Sequence, residues 1–239
     1  MSKVIVGYPV GGSVTLAFHA SMLRLLGHEI IKPDGERLLA KIQHTQGLYV
    51  ADNRTMLVQR FLDSGVEWLL QIDTDIEFPQ TLLETLLTLA GDDKKCLAAS
   101  VPLGVFPSCA FRLTETPGIW EPVYPVPLKP ISVDGVATAV MLCHREVFQK
   151  IAEENGQCWF HHMYLPESPP GTAPVRFKYR SQGEDLAFSL RVRDAGYNIW
   201  CAHVPGLRHH KGRALSHDDE RAGILAAEDS GVGELVAES

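Results

Sequence analysis

The stretch "VEWLLQIDTDIEFP", residues 66–79, sets Asp73, Asp75 and Glu77 on alternate positions behind an apolar run. Carboxylates are hard oxygen ligands, and side chains two apart in an extended chain point the same way. Asp73 and Asp75 are therefore expected to share one divalent ion. The plainer alternative is an acidic loop, solvated or capping the helix expected from Pro79. An EF-hand is excluded, because its sixth position would be glycine and here is Phe78. An aspartyl-phosphate hydrolase fits poorly, since about seventy residues of α/β pattern precede Asp73.

Three other groups could do chemistry. In "SQGEDLAFSLRVRDAG", Glu184 and Asp185 open a helix whose N-terminal dipole favours ionised carboxylates, so either is placed to act as a general base. An ordinary acidic first turn looks the same. In "GLRHHKGR", His209 and His210 follow a strand, and neutral imidazole is a good ligand for a divalent metal. A surface histidine pair is the alternative. Arg54 lies in the first turn of a helix, against the dipole, which makes sense if it meets a phosphate; Asp52 or solvent would also satisfy it.

The elements that must hold these groups alternate. "KVIVGYP" reads as a strand ending in a Pro-Val-Gly-Gly turn. The helix that follows carries Leu16, Ala20, Leu23 and Leu26 at helical spacing, with Gly27 as its stop. Residues 28–49 are irregular. A helix from about Asp52 to Leu62 turns Leu57, Val58, Phe61 and Leu62 inward and ends at Gly65. Then come the strand "EWLLQID", a Pro-started helix and the strand "KCLAASVPL". The Pro-rich stretch 105–135 reads as turns and edge strands, "GVATAVML" as a buried strand entering a helix, and 156–182 as a long loop. A helix from Gly183, the strand "YNIWCAHV" and the loop "PGLRHHKGR" complete the pattern. This order predicts an α/β fold with a mostly parallel central sheet flanked by helices.

Residues 1–215 are expected to form a single domain of two halves, about 1–100 and about 101–215. Beyond 216, seven acids face one arginine, which predicts a loosely held acidic tail over 216–239. The 45% hydrophobic and 21% charged fractions are those of an ordinary globular protein. A net charge of −7 means that a polyanionic partner would need a local basic patch. Five cysteines without a C-x-x-C pair argue against a disulfide framework or zinc knuckle and for free thiols in a reducing cytosol. With no long apolar run and no cleavage site, neither a signal peptide nor a membrane span is expected, and the expected location is cytoplasmic.

A strand with a Gly-rich turn, "DNR" opening a helix, "IDTDIEFP", "VDGVATAVML", "GEDLAFSLRVRDAGY" and "HHKG", in that order, resembles the GT-A-fold nucleotide-sugar glycosyltransferases. The resemblance is to small phage and bacterial members related to family 2, and covers roughly residues 3–213. It implies a GT-A (Rossmann-like) fold with a small acceptor-side subregion, the donor half being about 1–100 and the acceptor half about 101–215, and transfer of a sugar from a nucleoside diphosphate donor, by analogy UDP, to an acceptor hydroxyl. It implies that Asp73 and Asp75 hold Mn²⁺ or Mg²⁺ against the donor diphosphate, and that His210 is a further metal ligand with His209 its rival. Tyr8, Pro9, Val10, Asn53 and Arg54, with Asp73 and Thr74, would bind the nucleotide. Asp185, with Glu184 beside it, would be the acceptor-side base of an inverting reaction. Relatives often carry glycine where this chain has Ala137, Thr138 and Ala139.

For the acceptor, residues 176–213 hold eight Lys and Arg against three acids, and Trp159, Phe160 and Tyr164 offer stacking surfaces. A hydroxymethylated DNA base is one acceptor this would suit; a protein or glycan hydroxyl is the other. The arginines are equally explained as a solvated helix face and as counter-charges to the donor. Two other classes compete. A sugar-phosphate nucleotidyltransferase would carry cations in its first loop, which "GYPVGGSVTLAFHA" lacks. A non-catalytic nucleotide-sugar-binding module would tolerate loss of Asp185.

Overall fold

Every residue of Trp68–Ile72, Cys96–Ser100 and Val140–His144 is buried, so these strands need cover on both faces. The computed structural model describes residues 4–102, 109–166, 179–211 and 213–215. In chain order the elements are β1 (Val4–Val10), α1 (Leu16–Ile30), β2 (Leu39–Gln46), α2 (Val50–Ser64), β3 (Trp68–Ile72), β4 (Ile76–Glu77), α3 (Leu82–Ala90) and β5 (Cys96–Ser100). They continue with β6 (Ala110–Leu113), β7 (Trp120–Pro122), β8 (Ile131–Val133), β9 (Gly135–Val136), β10 (Val140–His144) and α4 (Arg145–Asn155). The last are β11 (Met163–Pro166), β12 (Tyr179–Gln182), α5 (Glu184–Asp194), β13 (Ile199–His203), β14 (Arg208–Lys211) and β15 (Arg213–Leu215).

The central sheet has seven strands in the order β2-β1-β3-β10-β5-β13-β8. Five run one way; β10 lies antiparallel between β3 and β5, and β8 antiparallel at the edge. Period-two alternation divides its side chains between two cores. Ile5, Leu69, Cys96, Ala98, Met141 and Cys143 meet α2, α4 and α5 through Phe61, Phe148 and Phe188. Val4, Val6, Leu70, Leu97, Ala99 and Leu142 meet α1 and α3 through Phe18, Met22, Leu83 and Leu86. Three small sheets decorate the C-terminal edge: β15-β14-β4, β7-β6-β9 and β11-β12. The result is the mixed, mostly parallel α/β sheet flanked by helices that the element order predicts.

Local expectations fare unevenly. Gly65 caps α2 in the left-handed region at φ 76°, where glycine has no steric penalty. In α1 the inward stripe is Phe18, Met22 and Leu25, while Leu16 and Leu23 are 83% and 56% exposed. That helix carries two apolar stripes of equal period, and ring contacts of Phe18 with Tyr8 and Phe78 select one. It also runs past Gly27 to Ile30. The irregular stretch 28–49 contains β2, and the long loop 156–182 contains β11 and β12. "LRHHKGR" contains strand, not only loop, because β14 finds an edge partner in β4. Residues 216–239, the expected acidic tail, lie outside the described residues.

Candidate functional site

Strands β1, β2, β3, β5 and β13 all point their carboxyl ends at one edge, the place where open α/β sheets bind ligands. β3 stops at Ile72. Residues 73–76 then turn, with the Ile76 amide donating to Asp73 O at 3.2 Å. The alternation expected to align Asp73 with Asp75 is broken by this turn, and the two carboxylates have different partners.

Asp73 continues the face of Leu69 and Gln71 toward α2. Arg54 Nη2 donates to Asp73 Oδ1 at 2.8 Å, while its Nη1 donates to Gln71 Oε1 at 3.3 Å and Thr138 O at 3.2 Å. Arg54 is 2% exposed. Burial disfavours its charge, but the fields of Asp73, Asp185 and Glu184 outweigh that and hold its pKa above the ordinary value. Burial pushes Asp73 up to about 6; Arg54 opposes the shift, and Asp185 and Asp75 add to it. Arg54 thus answers an internal carboxylate pair instead of lying open to a phosphate.

Asp75 faces the other way. Its Oδ2 lies 3.0 Å from His209 Nε2, and His209 Nδ1 lies 3.0 Å from Pro102 O. A carbonyl only accepts, so Nδ1 carries the hydrogen and Nε2 is the nitrogen presented to the carboxylate. Burial would raise Asp75, but the hydrogen bond and charge of His209 win and hold it below the usual carboxylate range. His209 and His210 are neighbours on a strand and project to opposite faces. His210 Nε2 therefore meets Glu77 Oε2 at 3.0 Å, beside Arg208. The geometry brings His209, not His210, to the second aspartate.

Asp185 enters from α5, where Glu184 and Asp185 occupy the first turn after Gly183. Thr138 Oγ1 donates to Asp185 Oδ1, and Arg54 Nη2 stands 4.0 Å from the same oxygen. Ser189 Oγ donates to Asp185 O at 2.9 Å and accepts from Val136 N at 3.2 Å, pinning α5 to β9. A cavity of about 290 Å³ opens here, lined by Phe111, Val136, Ala137, Gly183, Glu184, Asp185 and Leu186. Gly135 beside it has to be glycine: a Cβ would stand 2.7 Å from Trp120 Cζ3 and 3.0 Å from Leu186 Cδ2.

Tyr8, Pro9 and Val10 end β1 at the same edge. Tyr8 stacks on His44 at 5.6 Å and packs edge-on to Phe18. Thr74 is tied to the loop after β1, donating through Oγ1 to Ser13 O and accepting from Thr15 N, each at 3.0 Å. Asn53 is buried, and its amide donates to Gly47 O at 3.2 Å, so it serves the β2–α2 connection. Of the stacking surfaces, Trp159 and Phe160 are fully buried: Trp159 Nε1 donates to Phe148 O, and Phe160 stacks on Phe188. Arg191 is also interior, donating to Trp159 O and His161 O. Only Tyr164 of the three aromatics is exposed. Arg176 and Lys178 lie outside the described residues.

Among the described residues, one group of three His or carboxylate ligands lies within 4.8 Å of one another: His28, Glu29 and Glu84. Lys32 already bridges both of those glutamates. Asp73, Asp75 and His209 are not so tightly gathered, because Arg54 draws Asp73 aside. Of these three, Asp75 and His209 stand close enough to share a divalent ion. With hydrogen on Nδ1 alone, Nε2 and Asp75 Oδ2 are acceptors facing each other across 3.0 Å; a proton on Nε2 joins them as the hydrogen bond that holds Asp75 low, and a metal would take that proton's place.

Sequence reasoning assigned no role to Thr138, Gln71 or the Pro102 carbonyl. Gln71 inside β3, and Thr138 in the apolar run that joins β9 to β10, were legible as polar residues among apolar ones, since a buried polar group without a partner is costly. Pro102 O carried no signal.

No family model matches the chain, and no curated protein does. Among solved structures it is similar to the crystal structure of A197 from STIV, with a TM-score of 0.52, 18% identity and 91% of each chain covered. This is a likeness of fold. It also aligns with a glycosyltransferase involved in the glycosylation of the major capsid of PBCV-1, at TM-score 0.34, 13% identity and 61% of each chain. A third alignment is to UDP-glucose pyrophosphorylase from acinetobacter baumanii, at TM-score 0.48 and 8% identity, covering 95% of this chain and 93% of that one. The last two are too distant to carry an argument. Among the described residues, no helix is long and apolar enough to cross a membrane.

Proposed function

We propose that this protein is a divalent-metal-dependent, inverting glycosyltransferase of the GT-A kind, moving a sugar from a nucleoside diphosphate donor, UDP by analogy, to an acceptor hydroxyl. The observation that carries the reading is His209 Nε2 set 3.0 Å from Asp75 Oδ2 with its other nitrogen fixed on Pro102 O, at the sheet edge that also holds Asp185. Asp75 and His209 would hold the ion, with the remaining positions left to the donor diphosphate. Mn²⁺ or Mg²⁺ would act there as a Lewis acid toward the charge that develops on the leaving diphosphate.

The chain's own residues supply the rest. The acceptor hydroxyl enters the cavity beside Asp185, whose carboxylate takes its proton as the oxygen bonds to the anomeric carbon. The anomeric carbon–phosphate oxygen bond breaks and the nucleoside diphosphate departs from the opposite face. Arg54 balances the negative charge of Asp73 and Asp185. The interior placement of Trp159, Phe160 and Arg191 takes two of the three stacking rings and one of the eight cations away from a DNA acceptor, which favours a protein or glycan hydroxyl.

The test is thermal stabilisation by nucleoside diphosphates and nucleotide sugars, with Mn²⁺ and with EDTA, for wild type and Asp75→Ala. A ligand at a hundredfold its Kd adds about 2.7 kcal/mol. A metal-dependent shift lost in Asp75→Ala supports the reading; no shift with any nucleotide sinks it.

A further inference from the structure

Thr138 lies in "GVATAVML", where every neighbour is apolar or glycine, and it is fully buried. A buried hydroxyl is unfavourable unless it is bonded, and valine would fill the same space without that demand. Thr138 Oγ1 donates to Asp185 Oδ1. Its own carbonyl accepts from Arg54 Nη1 at 3.2 Å. The residues on either side are fixed as well: Ala137 N donates to Cys109 O at 2.7 Å, and Ala139 O accepts from Asp73 N at 2.8 Å. Four backbone and side-chain contacts thus hold one β-branched residue, itself stiff about χ1, against one carboxylate oxygen.

Resting on the reading of Asp185 as the acceptor-side base, we infer that Thr138 is its positioning residue. Oδ1 is committed to Thr138 and stands 4.0 Å from Arg54. That leaves Oδ2 as the oxygen with no hydrogen-bond partner among the described residues, on a side chain that lines the cavity. The hydroxyl makes the two oxygens unequal. One is anchored to the sheet and the other is free to take the proton. Without the anchor the carboxylate can rotate about χ2 and swing away from a bound hydroxyl.

Two substitutions separate positioning from packing. Thr138→Val keeps the volume and removes the hydroxyl; Thr138→Ser keeps the hydroxyl and removes the methyl. The readout is release of nucleoside diphosphate from UDP-glucose, UDP-N-acetylglucosamine or GDP-mannose with Mn²⁺, alongside the thermal shift that each gives. Thr138→Val is expected to lower kcat about 10–100-fold with the thermal shift retained, and Thr138→Ser to restore it. The reverse order, Val active and Ser slow, assigns the residue to packing and overturns the inference.

An unfolding cycle of Thr138→Val with Asp185→Asn reads the contact without any turnover. Non-additive melting shifts are expected, and additive ones overturn the inference. Turnover that survives Asp185→Asn sinks the reading of the base, and the positioning role with it. Turnover lost in Asp185→Asn but untouched by Thr138→Val sinks the inference alone.

Discussion

Arg54 Nη2 lies 2.8 Å from Asp73 Oδ1, a fully interior cation on α2 set against the first carboxylate beyond β3. The guanidinium also borders Phe160, 5.9 Å from the ring centroid. Its other contacts, to Gln71 and Thr138, tie the end of β3 and the β9–β10 connection to one helix. Acids gathered at a sheet edge repel one another, and this cation lets them coexist there.

Arg54→Met is accordingly expected to cost about 1–3 kcal/mol in urea unfolding, because it leaves Gln71 and Thr138 O without their donor and two partly exposed carboxylates without their cation. A cost below about 1 kcal/mol would mean that the pair behaves like an exposed one.

The folded-state pKa of Asp73, about 6, lies above the ordinary 3.8. Between those values the folded state binds more protons than the unfolded one, so the contribution of Asp73 to stability falls as pH rises through the window. In EDTA, the stability of wild type minus that of Asp73→Asn is expected to decrease from pH 4 to about 6.5 and then level off. A flat difference would show that Arg54 compensates Asp73 fully.

His209→Ala is expected to abolish Mn²⁺-dependent stabilisation by nucleotides, a loss beyond the roughly 10–100-fold typical of outer-shell changes. His210→Ala, which removes only the partner of Glu77, is expected to keep it. The opposite pattern would return the metal to the histidine suggested by the sequence resemblance.

Asp185→Asn keeps shape and loses the base. Its turnover is expected to fall about 10²–10⁴-fold while the nucleotide-dependent thermal shift persists. Loss of the shift as well would move Asp185 to the donor side.

Cys158 is exposed, whereas Cys96, Cys109, Cys143 and Cys201 are buried. Burial raises the Cys143 thiol, and for Cys201 the hydrogen bond to Cys109 leads the same upward shift, ahead of burial. A thiol reagent is expected to modify one cysteine per native chain and all five in denaturant. Fast reaction of a second would mark a strand that opens.

The sequence by itself determined the layering. Apolar runs such as "WLLQI" and "CLAAS" demanded a sheet covered on both faces, and Gly65 and Gly183 marked where helices stop and start. The acids after the apolar run of β3, the acids opening α5 and the histidine pair were also visible by residue type and spacing, whereas Thr138 was passed over. What they do to one another was decided by tertiary structure. A single turn at residues 73–76 separates Asp73 from Asp75, and an edge pairing between β4 and β14 makes a strand of "RHHK". That pairing turns His209 inward and His210 to Glu77. Period and propensity describe a chain's neighbours along its length. The partners of Asp75 and Asp73 stand 134 and 19 residues away, and only closure of the sheet brings them into contact.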